Sequence, residues 1–203
     1  MQDVAVASVT KSNDRIMKPS GAGKLDNPER LLWIPPAMVV AALTVQPGDV
    51  LADIGAGTGY FSLPLANATG QLGKVFAVDC QAEMLGHLQS KLEDDNRCNI
   101  RIISAEAVCT GLPDGSCDLV FMAFVWHEFE NRQNVLSESR RILNPRGRIA
   151  VVDWRPDVEP QPGPPLEHRI SASDALSDLG MAEFYDLRHR NIGKFSWLVQ
   201  GLV

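Results

Sequence analysis

Val50-Leu51-Ala52-Asp53-Ile54-Gly55-Ala56-Gly57-Thr58-Gly59 carries an apolar strand straight into three glycines at alternate positions. Glycine admits backbone conformations, and a close approach of ligand to backbone, that a Cβ forbids. Tyr60-Phe61-Ser62-Leu63-Pro64-Leu65-Ala66 follows and reads as the first turns of a helix. A strand, a glycine turn and a helix N-terminus form the ligand-binding corner of a Rossmann-like α/β fold.

Outward from this corner, strands alternate with helices. The strands are expected over 49–54, 74–78, 100–104, 118–123 and 148–153, and the helices over 60–68, 82–93, 131–143 and 172–179. In the second helix Met84, Leu85, Leu88 and Leu92 share one face and read as core. Such alternation predicts a doubly wound, mostly parallel seven-stranded sheet with helices on both faces. Ala182–Leu187 and Phe195–Val203 are expected to close its edge as an antiparallel C-terminal hairpin. Upstream, Pro36 suits the first turn of a helix over Ala37–Thr44. Residues 1–26, polar and small with Pro19, Gly21 and Gly23, read as a flexible tail, which leaves 27–203 as a single domain.

The glycine spacing narrows the ligand. A dinucleotide fingerprint reads G-x-G-x-x-G, with a pyrophosphate on the helix N-terminus. Here the run is Gly55-x-Gly57-x-Gly59, and Asp53 precedes it. An acid at that place repels a pyrophosphate and attracts an ammonium group. The D-x-G-x-G-x-G run resembles motif I of the class I S-adenosylmethionine (SAM) methyltransferases, the seven-strand family. The resemblance extends from about Pro36 to Asp153. It is densest in motif I, at Val78-Asp79 and in Leu143-Asn144-Pro145-Arg146-Gly147-Arg148, and points to the small branch related to ubiquinone and menaquinone C-methylases. It implies that Gly55, Ala56, Gly57 and Gly59 lie against the amino-acid part of SAM, with Asp53 acting on the ammonium directly or through water. S-adenosylhomocysteine (SAH) would be the product.

Asp79 ends the second strand, where a carboxylate has two oxygens to offer the ribose hydroxyls. Its other role is to cap the helix that begins at Ala82. Glu106 and Ala107 match the family's acid-Ala pair ahead of Leu112-Pro113-Asp114-Gly115-Ser116, so the resemblance places Glu106 on the adenine amino group. By itself Glu106 reads as an exposed loop acid. Cys80 stands where the family has an apolar residue against adenine, and Val108-Cys109-Thr110 replaces more acidic residues. Both are departures at the adenine end.

Methyl transfer from a sulfonium is an in-line displacement, so the protein mainly positions the reactants in a dry pocket. A base is needed only if the acceptor must lose a proton. His127, in Phe124-Val125-Trp126-His127-Glu128-Phe129, is the first candidate, either as that base or as a brace for its loop. Asp153 is the second, facing the acceptor or capping a turn. Trp126 and Phe129 are pocket walls or core, and the Gly163-Pro164-Pro165 loop with His168-Arg169 is a candidate lid.

With 203 residues, 45% apolar and 22% charged, the chain has the balance of a globular domain. A net charge of −6 and the lack of any Lys/Arg block argue against nucleic acid or an anionic membrane as partner. Cys80, Cys98, Cys109 and Cys117 form no C-x-x-C pair, so no metal site is expected, and thiols converging on arsenite are disfavoured. Without a signal-peptide pattern, a reducing, cytoplasmic setting with free thiols is expected. The function expected is SAM-dependent methyl transfer to a small-molecule acceptor. The alternative is a catalytically silent SAM- or SAH-binding regulatory or partner protein, and NAD-dependent oxidoreduction is opposed by the glycine spacing.

Overall fold

The computed structural model describes residues 16–93, 99–158 and 162–203. Helices α1 (Ala22–Leu25), α2 (Arg30–Trp33) and α3 (Pro36–Leu43) lead into β1 (Val50–Ile54), α4 (Ser62–Thr69), β2 (Lys74–Asp79), α5 (Ala82–Glu93) and β3 (Ile100–Ser104). The chain continues through β4 (Cys117–Ala123), α6 (Arg132–Ile142), β5 (Leu143–Trp154), α7 (Ala172–Met181), β6 (Tyr185–Ile192) and β7 (Ser196–Leu202). The sheet order is β3-β2-β1-β4-β5-β7-β6. β7 alone runs opposite, paired antiparallel with both β5 and β6.

Side-chain alternation sorts the sheet into two dry faces. Leu51, Leu119, Phe121, Ala150, Val152 and Leu198 point to the face covered by α3 and α4, meeting Val39, Leu43, Phe61 and Leu65. Ala52, Ile54, Val120, Met122, Ile149, Val151, Trp197 and Val199 point to the other face, meeting Val135, Leu136 and Ile142 of α6 and Leu179 of α7. Burial on both faces explains why the central strands read as unbroken apolar runs. The cap residues are local: Asn131 accepts from the Asn134 amide and Ser171 from the Asp174 amide, each at 3.1 Å.

Three stretches differ from the expectations. The seventh-to-sixth strand hairpin turns through Gly193-Lys194-Phe195, so β6 is Tyr185–Ile192 rather than 182–187. β6 is the edge strand, and Asp186, Arg188, His189, Arg190 and Asn191 are exposed, so it shows no apolar alternation to read. Arg148 does not begin β5: the strand starts at Leu143, and its register against β4 shifts between the Cys117–Leu143 and Leu119–Arg148 pairs, absorbing Pro145-Arg146-Gly147 as an irregularity. Of the expected tail, residues 1–15 lie outside the described residues. Pro19–Gly21 and α1 are helical, with Thr58 Oγ1 donating to Asp26 at 2.8 Å and Lys91 pairing with Asp26 at 2.7 Å. Among the described residues no helix is long and apolar enough to cross a membrane.

Strand order reverses beside β1, between the β2 and β4 sides. Ligands of open α/β sheets bind outside the strand carboxyl ends at such a point. The ends of β1, β2, β4 and β5 all meet there.

Candidate functional site

A cavity of about 680 Å³ opens over these strand ends. That volume suits a ligand of cofactor size. At its first end the glycine loop turns under the control of β2: the amides of Gly55 and Ala56 both donate to Val78 O, at 2.8 and 3.0 Å. The Gly57 amide donates to Asp79 Oδ2 at 2.9 Å, and the Gln81 amide to Oδ1 at 2.9 Å. Asp79 therefore clamps the glycine loop and also braces the chain just ahead of α5. Each oxygen keeps a further lone pair.

The glycines do different work. A Cβ on Gly55 would strike Val125, and one on Gly59 would strike Leu88 of α5. Those two permit close packing of protein on protein. Gly57 has φ +54, and the nearest atom to an added Cβ is a Leu25 methyl at 3.3 Å, so it borders the cavity. Asp53 is 2% exposed, accepts from Ser62 Oγ at 2.5 Å, and lines the cavity. Burial, then the nearby Asp79 charge, push its carboxyl up to about 7 against the pull of the Ser62 bond. Burial likewise raises the Asp79 carboxyl. Neither buried acid has an ion pair among the described residues.

The second end lies over β4 and β5. Phe124 follows β4 at φ 60, a conformation that costs an aromatic residue about 1–3 kcal/mol and persists only when its surroundings impose it. Its amide is held by Val152 O at 2.8 Å, and its ring packs on Trp154 at 4.5 Å and on Trp33 at 6.1 Å. Tyr60 and Phe61 extend this aromatic wall. His127 sits in the short helical turn Trp126–Glu128 and is 4% exposed. Its Nδ1 is 2.9 Å from Asp153 Oδ1, and its amide donates to Asp153 Oδ2 at 2.9 Å. Asp153 is fully buried and also accepts from the Trp154 amide at 2.7 Å. Burial pulls the His127 pKa down, but the charge and hydrogen bond of Asp153, with Glu128 nearby, hold it above the ordinary value. Glu128 Oε1 lies 3.9 Å from His127 Nε2 and accepts from the Met17 amide at 3.1 Å. Burial pushes the Glu128 carboxyl up to about 7.

Of the residues singled out from sequence, the cavity wall brings together Asp53, Gly55, Ala56, Gly57, Asp79 and His127. Gly59, Cys80, Glu106, Ala107 and Asp153 stand outside that wall. Gly59 packs on α5, Asp153 stands behind His127, Cys80 and Glu106 are exposed, and Ala107 packs against the core beside α6. Trp126 is fully buried core with Phe129 against it at 6.0 Å, so neither walls the pocket. The Pro162–Pro165 loop and His168 do line the cavity, with the Gly163 backbone pressed on the Trp154 indole. The sequence carries no site signal for Arg30, Trp33 or the segment Ile16–Lys18, and offers Glu128 only as a conceivable metal ligand with His127, Asp153 and His168. They come from remote parts of the chain and share no motif with the glycine loop. Among the described cysteines Cys80 and Cys109 are exposed, Cys117 is buried, and none lines the cavity, while Cys98 lies outside the described residues.

A SAM-dependent methyltransferase of Aquifex aeolicus has the same architecture. Its structure superposes with a TM-score of 0.88 at 30% sequence identity, covering 93% of this chain and all of that one. The chain belongs to the class I SAM-dependent methyltransferase family. The family model described as "Methyltransferase domain" matches residues 52–151 of this chain, from β1 to β5. Among curated relatives, the ubiquinone/menaquinone biosynthesis C-methyltransferase UbiE of Burkholderia mallei is 30% identical over 128 residues, covering 61% of this chain and 51% of that protein. The chain thus spans about half the length of the curated relatives it matches. An arsenic(III) SAM methyltransferase of Chlamydomonas reinhardtii shares the fold at 22% identity, with a TM-score of 0.66, covering 78% of this chain and 64% of that one.

Proposed function

We propose that the chain binds SAM at the glycine-loop end of the cavity and transfers its methyl group to a small-molecule acceptor at the aromatic end. The observation that carries this is one continuous cavity joining two buried acids that have no ion pair among the described residues to a buried His–Asp pair. The residues present fit the cofactor. Asp53 and Asp79 suit a ligand bearing ammonium and sulfonium charges, and Gly57, at φ +54 on the cavity wall, lets the backbone face the ligand without a Cβ. Asp53 would hold the ammonium and Asp79 the ribose hydroxyls, with Gly55, Ala56 and Gly57 as the backbone bed. Glu106 and Cys80 are proposed for the adenine end, with Gly59 and Ala107 shaping the loops that carry them. Residues 27–203 are taken as one catalytic domain, with the segment from Ile16 to Asp26 completing the cavity wall.

When bound, SAM supplies an activated methyl group open to in-line attack. The chain positions the acceptor, excludes water and receives a proton. The aromatic wall of Trp33, Tyr60, Phe124 and Trp154 orients a flat or apolar acceptor body. Asp153 accepts from His127 Nδ1–H, so in the neutral imidazole Nε2 is the acceptor atom beside the cavity, a form populated as pH rises through the raised pKa of His127. His127 is then the general base and Asp153 its positioning residue. Their contribution is limited to acceptors that lose a proton. The test is incorporation of labelled methyl from SAM into a metabolite extract. Wild-type protein is expected to label a small molecule, and His127→Ala to label it far more slowly. Binding of SAM with no labelled product in any extract would assign the chain to the silent, regulatory alternative.

A further inference from the structure

We propose that Arg30 is the carboxylate-binding residue of this cavity. The proposal deepens the functional reading above and rests on its taking this cavity as the ligand site. Two arginines, Arg30 and Arg169, are each only 7% exposed. Arg169 spends all three nitrogens in four bonds: Nε and Nη2 donate to Pro164 O at 3.0 Å, Nη2 also to Pro162 O at 2.8 Å, and Nη1 to Arg155 O at 2.9 Å. It staples the proline loop. Arg30 spends only Nη1, on Leu25 O at 2.6 Å, and has no ion pair among the described residues. A guanidinium carries five N–H donors, so most of the Arg30 fork is unspent.

Its setting fixes that fork. The Arg30 guanidinium carbon lies 3.9 Å over the Tyr60 ring centre, 5.7 Å from Trp33 and 5.8 Å from Phe124, and Arg30 lines the cavity. Rings above a guanidinium attract its charge and hold its plane, leaving the edge for in-plane hydrogen bonds. A carboxylate matches that edge with two parallel bonds. The nearest acid to bear on it, Asp26, is already taken by Lys91 and Thr58. Burial lowers the Arg30 pKa to about 10, which leaves it charged at neutral pH. The cavity lining holds acids at Glu29, Asp53, Asp79 and Glu128 and exposed cations at Lys18 and Lys24, but Arg30 is its one buried guanidinium. A ligand carboxylate has two sources, the amino-acid part of SAM or an acidic acceptor.

The test titrates wild-type, Arg30→Met and Arg30→Lys proteins with SAM and with decarboxylated SAM, which lacks only the carboxylate. Each SAH-loaded protein is then titrated with benzoate and with benzamide. If the methionine carboxylate is the partner, Arg30→Met weakens SAM by tenfold to a hundredfold and leaves decarboxylated SAM unchanged. Arg30→Lys, with charge but no fork, falls between. If the acceptor carries the carboxylate, SAM binding is unchanged, and the wild type prefers benzoate over benzamide while Arg30→Met does not. A folded Arg30→Met protein with wild-type values for all four ligands overturns the proposal and assigns Arg30 to stacking alone. Loss of thermal stability with an equal fall in SAM and decarboxylated SAM affinity overturns it as well. A wild type that binds neither SAM nor decarboxylated SAM defeats the cofactor reading. Arg30 then stands or falls on benzoate against benzamide, titrated without SAH.

Discussion

The two ends of the cavity are built by different means. The glycine-loop end is made of backbone amides and carboxylates within one β–α–β segment, Val50 to Asp79, whose parts bond to one another: Gly55 and Ala56 to Val78, Gly57 to Asp79. The aromatic end collects Arg30 and Trp33 before β1, Phe124 and His127 after β4, Asp153 and Trp154 at the end of β5, and His168 beyond it. The first end suits a ligand that never varies. The second is assembled from loops whose lengths and side chains change without disturbing the sheet, which suits a reaction whose acceptor is set by the particular enzyme.

The comparison breaks first at Gly57. Gly57→Val puts a branched side chain where φ is +54 and where the cavity begins, so SAH binding is expected to be lost altogether while the protein stays folded. Calorimetry with SAH, beside a circular dichroism melt, checks this. Wild-type affinity in a folded variant would move the cofactor elsewhere.

Asp79→Ala comes next. It removes the anchor proposed for the ribose and also frees the Gly57 and Gln81 amides. SAH affinity should fall by about tenfold to a few hundredfold, at about 1.4 kcal/mol per factor of ten. If Asp79 serves only to brace the start of α5, stability drops by about 1 kcal/mol and affinity barely moves. Measuring both on one variant separates the roles.

The smallest effect is one of pH. The Asp53 carboxyl, ordinarily near 3.8, sits at about 7 in the free protein. Between those values the folded protein keeps a proton that the unfolded chain sheds, so free-protein stability falls as pH rises through that window. An ammonium beside Asp53 favours the charged form. SAM binding should then release protons near pH 7, and affinity should rise by up to about tenfold per pH unit below 7 and flatten above it. Titrations in buffers of different ionisation enthalpy read the release. In Asp53→Asn it should vanish. Proton uptake on binding would place the ammonium away from Asp53.

The same contrast explains what could be read before the structure was known. The sheet was legible because central strands buried on both faces write their pattern into consecutive residues, as in Val50–Ile54 and Cys117–Ala123. β6 was not, because an edge strand paired on one side carries Arg188-His189-Arg190-Asn191 outward and gains its conformation from β7. Asp53, Gly57 and Asp79 were legible because the turn that needs them is local. Arg30 was not: an isolated Arg in a short helix looks like surface until the fold buries it. Asp153 was visible as a candidate, but its bond to His127 spans 26 positions, and only the β4–β5 pairing brings the two together.

In the proposed division of labour, one end of the cavity holds the cofactor while the other runs the chemistry. That division is tested most directly by the methyl-transfer rate of Asp153→Asn at saturating SAM, for an acceptor that loses a proton. The substitution keeps the shape but lets His127 take the wrong tautomer. The expected rate is about a hundredfold below wild type, with SAH affinity unchanged. A wild-type rate, or a rate that falls only in step with SAH affinity, would contradict it.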